Sequence, residues 1–288
     1  MKVAILSFYS GHWSRGVETW AANLKQRLRK GIQVDVIPGW KSYVPFFWLT
    51  SDILVPANGR LQSLLCRIVC WFTGKPLVIF GNSGPGADDK WNLLCSPDVF
   101  VVSSSFQAEW AKKFKLPQTL IRLIPHAVDT RKFTPPAHPP KENIVLCVAA
   151  DTPAKRIGLV RAAVKLLPGV RFVHVGGDPR QAKYHDLPAA YRAARVFCLV
   201  PVPWEAFGLV FLEALASNLP VVTIDDPVRR EIVGDAGIFV KNPQNASQLA
   251  QAIDLALKTD WQNKPTSQAA KFSWDKITRQ YYQLFTSL

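Results

Sequence analysis

The 288-residue chain contains only five cysteines, and no two of them form a CxxC pair. Cys66, Cys70, Cys95, Cys147 and Cys198 thus offer neither a zinc-ribbon spacing nor a redox dithiol, and three lie in apolar runs such as IVLCV and RVFCLV. They read as buried free thiols of a reducing compartment. His12, His126, His138, His174 and His185 show no ligand spacing with one another or with cysteine, so no structural metal is expected. No apolar run reaches the roughly 18 residues of a transmembrane helix, and MKVAILSFYS has about five apolar residues before polar ones, too few for a signal-peptide core. The expectation is a cytoplasmic protein whose membrane contact is limited to the periphery. Acidic residues are also scarce: 21 Asp and Glu against 35 Lys and Arg leave a net charge of +14. Residues 1–140 carry 17 basic and 8 acidic residues and the remainder 18 and 13, so the bias is stronger in the N-terminal part. Such a surface suits an anionic partner, whether nucleotide, phospholipid surface, acidic glycan or nucleic acid. No aromatic-basic nucleic-acid motif is present, which disfavours the last. No fixed-period repeat or low-complexity tract appears. Asn245, Ala246 and Ser247 form a glycosylation sequon that would be inert in the cytoplasm.

What is present is alternation. KVAILSF, IQVDVIP, DILVPAN, PLVIFGN, DVFVVSS and LIRLIPH have the length and apolarity of strands, and VETWAANLKQRL, RLQSLLCRIVCWF and FQAEWAKKF have helical spacing between them. TPPAHPPKEN, with four prolines and no periodic apolar pattern, reads as a linker. A second series follows: NIVLCVAA, a helix from Lys155 to Leu167, RFVHVGG, a helix at Pro188 to Ala194, RVFCLVP, a helix from Gly208, PVVTI and GIFV. The reading is an α/β protein of two Rossmann-like doubly wound domains, 1–138 and 139–270, facing a cleft. Residues 271–288 form an amphipathic helix expected to return to the first domain.

The segment from Val202 to Asp225, VPWEAFGLVFLEALASNLPVVTID, is the most informative. A strand end delivers Glu205 in a loop, Gly208 permits close backbone approach, and apolar spacing from Leu209 starts a helix carrying Glu213. Unpaired N–H groups at such a helix start favour an anion such as a diphosphate, and two carboxylates beside it could accept hydrogen bonds from sugar and ribose hydroxyls. From spacing alone, Glu205 and Glu213 could equally be solvated helix charges.

WEAFGLVFLEALASNLPVV and then EIVGDAGIFV, with IPHAVDTRKF, KFSWDKI and RGVETWAANL elsewhere, resemble in order and spacing the retaining glycosyltransferases of family 4. The resemblance implies the GT-B fold, with the nucleotide-sugar donor mostly on the second domain and the acceptor mostly on the first. It implies that Glu213 holds the ribose, that Glu205 holds donor-sugar hydroxyls, and that Ala206, Phe207, Gly208 and Leu209 present backbone groups to sugar and phosphate. Gly16 and Glu18 match the family's first loop and helix. Neighbouring Arg15 could reach phosphate or be a surface residue, and His12 could line the cleft or be a plain loop residue. The resemblance also implies that no metal or other cofactor is required, so that a protein cation would stabilise the leaving diphosphate. Lys155 and Arg156 in TPAKRIG are the candidates, against the alternative of a solvated pair at a helix start. Two departures stand out: Ala150 occupies a position where relatives often carry arginine, and Asn82 one where they often carry histidine. Asn82 can orient a hydroxyl but cannot carry a proton. Asp88 and Asp89 are candidate acceptor ligands or a turn and helix cap. The stretch from Trp40 to Trp48, with Lys41, suits an acceptor pocket, an interfacial patch or ordinary packing. The expected activity is retaining transfer of a sugar from a UDP- or GDP-linked donor to a glycan or lipid-linked acceptor. A sugar-nucleotide-binding protein without transferase activity is the alternative, and a transferase acting on nucleic acid a weaker one.

Overall fold

The computed structural model describes residues 1–11, 16–28, 31–176, 187–203 and 205–288. His12 and Arg15 lie outside the described residues. The chain divides into two compact units, Met1–Pro125 with Asp275–Leu288, and His126–Trp274.

The first unit begins with β1 (Lys2–Ser7), α1 (Gly16–Arg27), β2 (Gln33–Pro38) and β3 (Ile53–Pro56). It continues with α2 (Arg60–Thr73), β4 (Val78–Phe80), α3 (Ala87–Leu94), β5 (Val99–Val102), α4 (Ser105–Phe114) and β6 (Leu120–Leu123). Strands run parallel in the orders β2-β1-β3 and β4-β5-β6, and a parallel bridge from Leu54 to Leu77 joins the two sets. Strands buried on both faces read as continuous apolar runs, as VAIL, ILVP and VFVV do here. The core packs Ala4, Leu54, Ile79, Phe100 and Trp48 together. The aromatic stretch after β2 forms two short 3-10 turns, Gly39–Tyr43 and Pro45–Phe47, which bury Trp48 and leave Trp40 and Phe46 exposed.

The second unit contains β7 (Asn143–Val148), α5 (Ile157–Val164), β8 (Val170–Val175), α6 (Leu187–Ala193), β9 (Val196–Cys198), α7 (Leu209–Ala216) and β10 (Val221–Ile224). It closes with α8 (Pro227–Val233), β11 (Gly237–Val240), α9 (Ala246–Lys258) and α10 (Lys264–Ala269), before α11 (Trp274–Thr286) returns the chain to the first unit. Its parallel sheet has the order β11-β10-β9-β7-β8. The strand order therefore reverses between β7 and β9. In open α/β sheets such a reversal opens a crevice at the carboxyl ends of the strands, where ligands bind.

Several sequence expectations shift. The units part at Pro125 and Trp274 rather than at 138 and 270, because Val128 donates to the Phe272 carbonyl at 3.0 Å and accepts from the Trp274 N–H at 3.3 Å. These bonds tie residues 126–133 to the second unit. The helix expected from Lys155 to Leu167 is shorter: Pro153–Lys155 form a 3-10 turn, Arg156 takes a left-handed conformation, and α5 runs from Ile157 to Val164. Asn245 of the sequon serves as the N-cap of α9, its side-chain oxygen accepting from the Gln248 N–H at 3.1 Å. All five cysteines are buried and free, and burial pushes Cys70 up to about 11 and Cys147 up to about 12, which keeps them as thiols.

Candidate functional site

The strand-order reversal places two loops side by side, residues 149–156 after β7 and 199–208 after β9. The Val202 N–H donates to the Ala154 carbonyl at 2.9 Å, so the loops are joined through their backbones. Across this junction Lys155 Nζ meets Glu205 Oε2 at 2.5 Å, with only about a quarter of either side chain exposed. Fifty residues of sequence separate the pair.

The 205–208 segment is held from below by Arg229 of α8. Its guanidinium is 0% exposed and donates to the Glu205 carbonyl at 2.6 Å, to the Phe207 carbonyl at 3.3 Å and to Asp226 Oδ1 at 3.2 Å. Asp226 also caps α8, accepting from the Arg229 N–H at 2.8 Å, and Pro227 opens the helix. Removing one partner of such a buried ion pair typically costs about 3–5 kcal/mol. Arg229 thus fixes the Glu205 and Phe207 carbonyls, while the Glu205 N–H donates to the Val202 carbonyl at 3.1 Å. The sequence reading passed over Arg229, although the Asp-Pro helix start in DDPVRREIV was available as a signal.

Gly208 precedes α7 with φ 88° and ψ 80°, a conformation that L side chains rarely adopt, and a Cβ there would lie 2.7 Å from the Phe211 ring. Leu209 is the first residue of α7, so the helix's unpaired N–H groups begin where the loop ends. Glu213 lies one turn further on, 7% exposed, and accepts from the Tyr191 hydroxyl at 2.9 Å. Lys132 adds a cation near it: desolvation lowers the Lys132 pKa, while the carboxylates of Glu213 and Asp129 raise it. Neither Tyr191 nor Lys132 was singled out by spacing, although Lys132 lies within IPHAVDTRKF.

Phe207 is 3% exposed, and its ring meets His126 at 5.0 Å and Phe272 at 6.3 Å. Only its backbone is left for a ligand. Desolvation pushes the His126 imidazole down to about 4, so it is neutral at pH 7. Arg156 is half-buried beside Lys155, and Ala150 offers no cation. The loop at Ala149 is fixed by His174 Nε2, 2.9 Å from the Ala149 carbonyl, and by the Ala149 N–H, which donates to the Val175 carbonyl at 3.0 Å.

The other candidates belong to the first unit. Gly16 is the first residue of α1, which carries the buried Glu18. Asn82 lines a small cavity of about 60 Å³ with Asn58, Arg60, Asp88 and Asp89. Asp88 and Asp89 both lie in the first turn of α3, in opposite settings. Asp88 is partly exposed and paired with Arg60 at 2.7 Å. Asp89 is 0% exposed and accepts from Gln107 Nε2 at 2.9 Å, a donor that also holds the Gly81 carbonyl. Asp89 is therefore enclosed and already hydrogen-bonded within the fold, whereas Asp88 stays at the surface. Among the described residues no group of three His, Cys, Asp or Glu is placed to hold a metal ion, and no helix is long and apolar enough to cross a membrane.

Comparison with known proteins bears on the family and the fold. Residues 179–272 match the family model of glycosyl transferases group 1. Over 100 residues the chain is 39% identical to the O-antigen chain mannosyltransferase B of Escherichia coli, covering 33% of this chain and 26% of that one. It is 26% identical over 199 residues to the phosphatidyl-myo-inositol mannosyltransferase of Mycolicibacterium smegmatis, covering 57% and 51%. The chain spans about a quarter to a half of the length of such curated relatives. Among solved structures, Anabaena HepE in complex with UDP superposes with a TM-score of 0.79 at 15% identity over 100% of both chains. Sucrose-phosphate synthase of Thermosynechococcus elongatus gives 0.79 at 20% identity over 100% of this chain and 98% of that one. The chain therefore has the fold of the GT-B glycosyltransferases, and its second unit carries a segment of the glycosyl transferases group 1 type.

Proposed function

We propose that this protein is a retaining glycosyltransferase of family 4 that moves a sugar from a UDP- or GDP-linked donor to a glycan or lipid-linked acceptor. The observation that carries the reading is the Lys155–Glu205 pair at the strand-order reversal, directly before the N-terminus of α7. In this reading the donor diphosphate lies over the N–H groups of Gly208 and Leu209, and Glu213 accepts from the ribose hydroxyls. Glu205 exchanges its ammonium partner for donor-sugar hydroxyls, which frees Lys155, beside Arg156, to face the diphosphate. Acceptor oxygen attacks the anomeric carbon on the face from which the diphosphate leaves. As the carbon–oxygen bond to phosphate breaks, its electron pair goes with the diphosphate, and the departing oxygen takes the acceptor proton. No protein base is needed, which suits Asn82 in place of histidine. The HepE structure with UDP-glucose and the mannosyltransferase names among the relatives support a nucleotide-sugar donor. A lipid-linked acceptor would bring the basic first unit to a membrane surface, with Gly16 and Arg15 as candidate donor ligands and His12 and Asp88 as candidate acceptor ligands.

A charge-assisted hydrogen bond contributes about 1.5–3 kcal/mol, so Glu213→Ala should weaken UDP-sugar or GDP-sugar binding by roughly 10- to 150-fold in calorimetric titration. Unaltered donor affinity would overturn the assignment. Ala150 favours a second reading, sugar-nucleotide binding without transfer, because the leaving group has one cation fewer than in many relatives. Slow release of nucleotide from a bound donor by the unaltered protein would refute it.

A further inference from the structure

The proline stretch that reads as a linker is also the wall of a cavity. Pro135, Pro136, Pro139 and Pro140 line a space of about 340 Å³ in the second unit, together with Trp261 and residues at the ends of α7 and α9. Arg195 leads into β9, Pro220 leads into β10 and the prolines lead into β7, so the cavity lies at the amino ends of these strands. Lys155 and Glu205 follow the carboxyl ends of β7 and β9, at the opposite end of the sheet. The volume is in the range of small-molecule sites.

Two polar side chains in the wall are left unmatched by the fold. Ser217 is 0% exposed, and its Oγ has no hydrogen-bond partner among the described residues; Asn218 Oδ1 is likewise buried without one. The Asn218 amide is held in place, because its backbone is left-handed at φ 60° and its Nδ2 donates to the Gln262 carbonyl at 2.9 Å. Buried polar atoms are paired nearly everywhere in proteins, so two unmatched ones in the wall of one cavity point to a ligand that donates to them.

The surrounding chemistry narrows the class of that ligand. Arg195 donates to Asn143 Oδ1 and to the Leu257 carbonyl, Trp261 Nε1 donates to the Ala256 carbonyl at 2.9 Å, and the Thr259 hydroxyl donates to the Leu255 carbonyl at 2.8 Å. Proline has no N–H. The cation and the indole are thus already engaged, and α7 and α9 bring the negative ends of their dipoles to this side, so an anion is disfavoured. With its N–H occupied, Trp261 offers only apolar ring surface, as the pyrrolidine rings do. A ligand with one apolar C–H face and a rim of hydroxyl donors meets all of these demands, and a pyranose has that character. We propose that this cavity is a second carbohydrate site. It holds a short segment of neutral glycan against Trp261 and the prolines, with sugar hydroxyls donating to Ser217 Oγ and Asn218 Oδ1. The site goes beyond the donor site proposed above and does not depend on the transfer chemistry.

The test is saturation-transfer NMR on the full chain with the neutral trisaccharides maltotriose and mannotriose, comparing the unaltered protein with Ser217→Ala and Trp261→Leu. At least one trisaccharide should bind, and added salt should leave the binding unchanged. Ser217→Ala should weaken it by about 2- to 10-fold and Trp261→Leu by about tenfold or more. Because Ser217 Oγ bonds to nothing in the fold, Ser217→Ala should melt at or above the temperature of the unaltered protein, so weaker binding in that variant reports the ligand rather than the fold. Absence of binding by both trisaccharides, or equal binding by the unaltered protein and both variants, would overturn the inference. So would a dimer, seen by light scattering, that Trp261→Leu splits, since the cavity would then seat a second copy of the chain. Calorimetric titration with UDP reads the donor site separately: UDP affinity should be the same in all three proteins, so failure here and failure of the transferase reading are distinguishable.

Discussion

Two adjacent aspartates show how little residue type decides without its setting. Asp88 is a partly solvated ion pair, whereas Asp89, one residue on, is enclosed, and burial pushes its carboxyl up to about 7 despite the hydrogen bonds from Gln107 and the Ser83 and Gly84 backbone. Because its folded pKa lies above the unfolded value, the native state holds more protons than the unfolded state between about pH 4 and 7. Stability at this site therefore falls as pH rises through that window, by roughly 4 kcal/mol at most. Asp89→Asn keeps the shape and removes the titration. Its thermal melts at about pH 5 and about pH 8 should differ less than those of the unaltered protein; an unchanged difference would show that another group sets the slope. Sequence could not separate the two aspartates, since ADDK reads equally as a cap, a turn or a ligand pair. Spacing alone left Glu205 and Glu213 either as site carboxylates or as solvated helix charges, and only the resemblance to family 4 singled them out. The pairing of Glu205 was not legible: Lys155, itself a candidate, is fifty residues away, and Arg229 sits in a charged run that looks solvated but is buried.

At the scale of elements, the start of α7 is the most constrained feature. Its N-cap has no side chain to donate or accept, and its positive φ lets the backbone turn from loop to helix in one residue. Gly208→Ala places a methyl group against the buried Phe211 ring and forces a conformation costing roughly 1–3 kcal/mol. We expect a lower melting temperature together with donor binding weakened by about tenfold or more; loss of stability with full donor affinity would show that the helix start does not contact the ligand. Strands were easy to read because parallel strands buried on both faces are unbroken apolar runs. Helices α3, α8, α9 and α10 were passed over. Three of these have fewer than nine residues, and α9 is capped by an asparagine that also fits a glycosylation sequon. The helix α2 was legible, but not its orientation, since which face is buried depends on Ser42 and Asn92 from other parts of the chain.

At the scale of the molecule, the chain passes between the two units twice, at Pro125 and at Trp274. The helix α11 supplies Ile277, Tyr281, Leu284 and Phe285 to the interior of the first unit, with the Tyr281 hydroxyl accepting from Trp20 Nε1 at 3.0 Å. Four buried side chains at roughly 1.5–3 kcal/mol each exceed half the stability of an ordinary domain. Removing Asp275–Leu288 should therefore unfold the first unit while the second still binds nucleotide, as separate calorimetric transitions would reveal. Two intact transitions in the truncated chain would refute this. The same connectivity orders events during synthesis. Although the first unit's strands leave the ribosome first, their core stays incomplete until α11 emerges, whereas the second unit can close beforehand. Throughout that interval the apolar strands of the first unit stay open to mispairing and to chaperones, until α11 supplies the rest of their core.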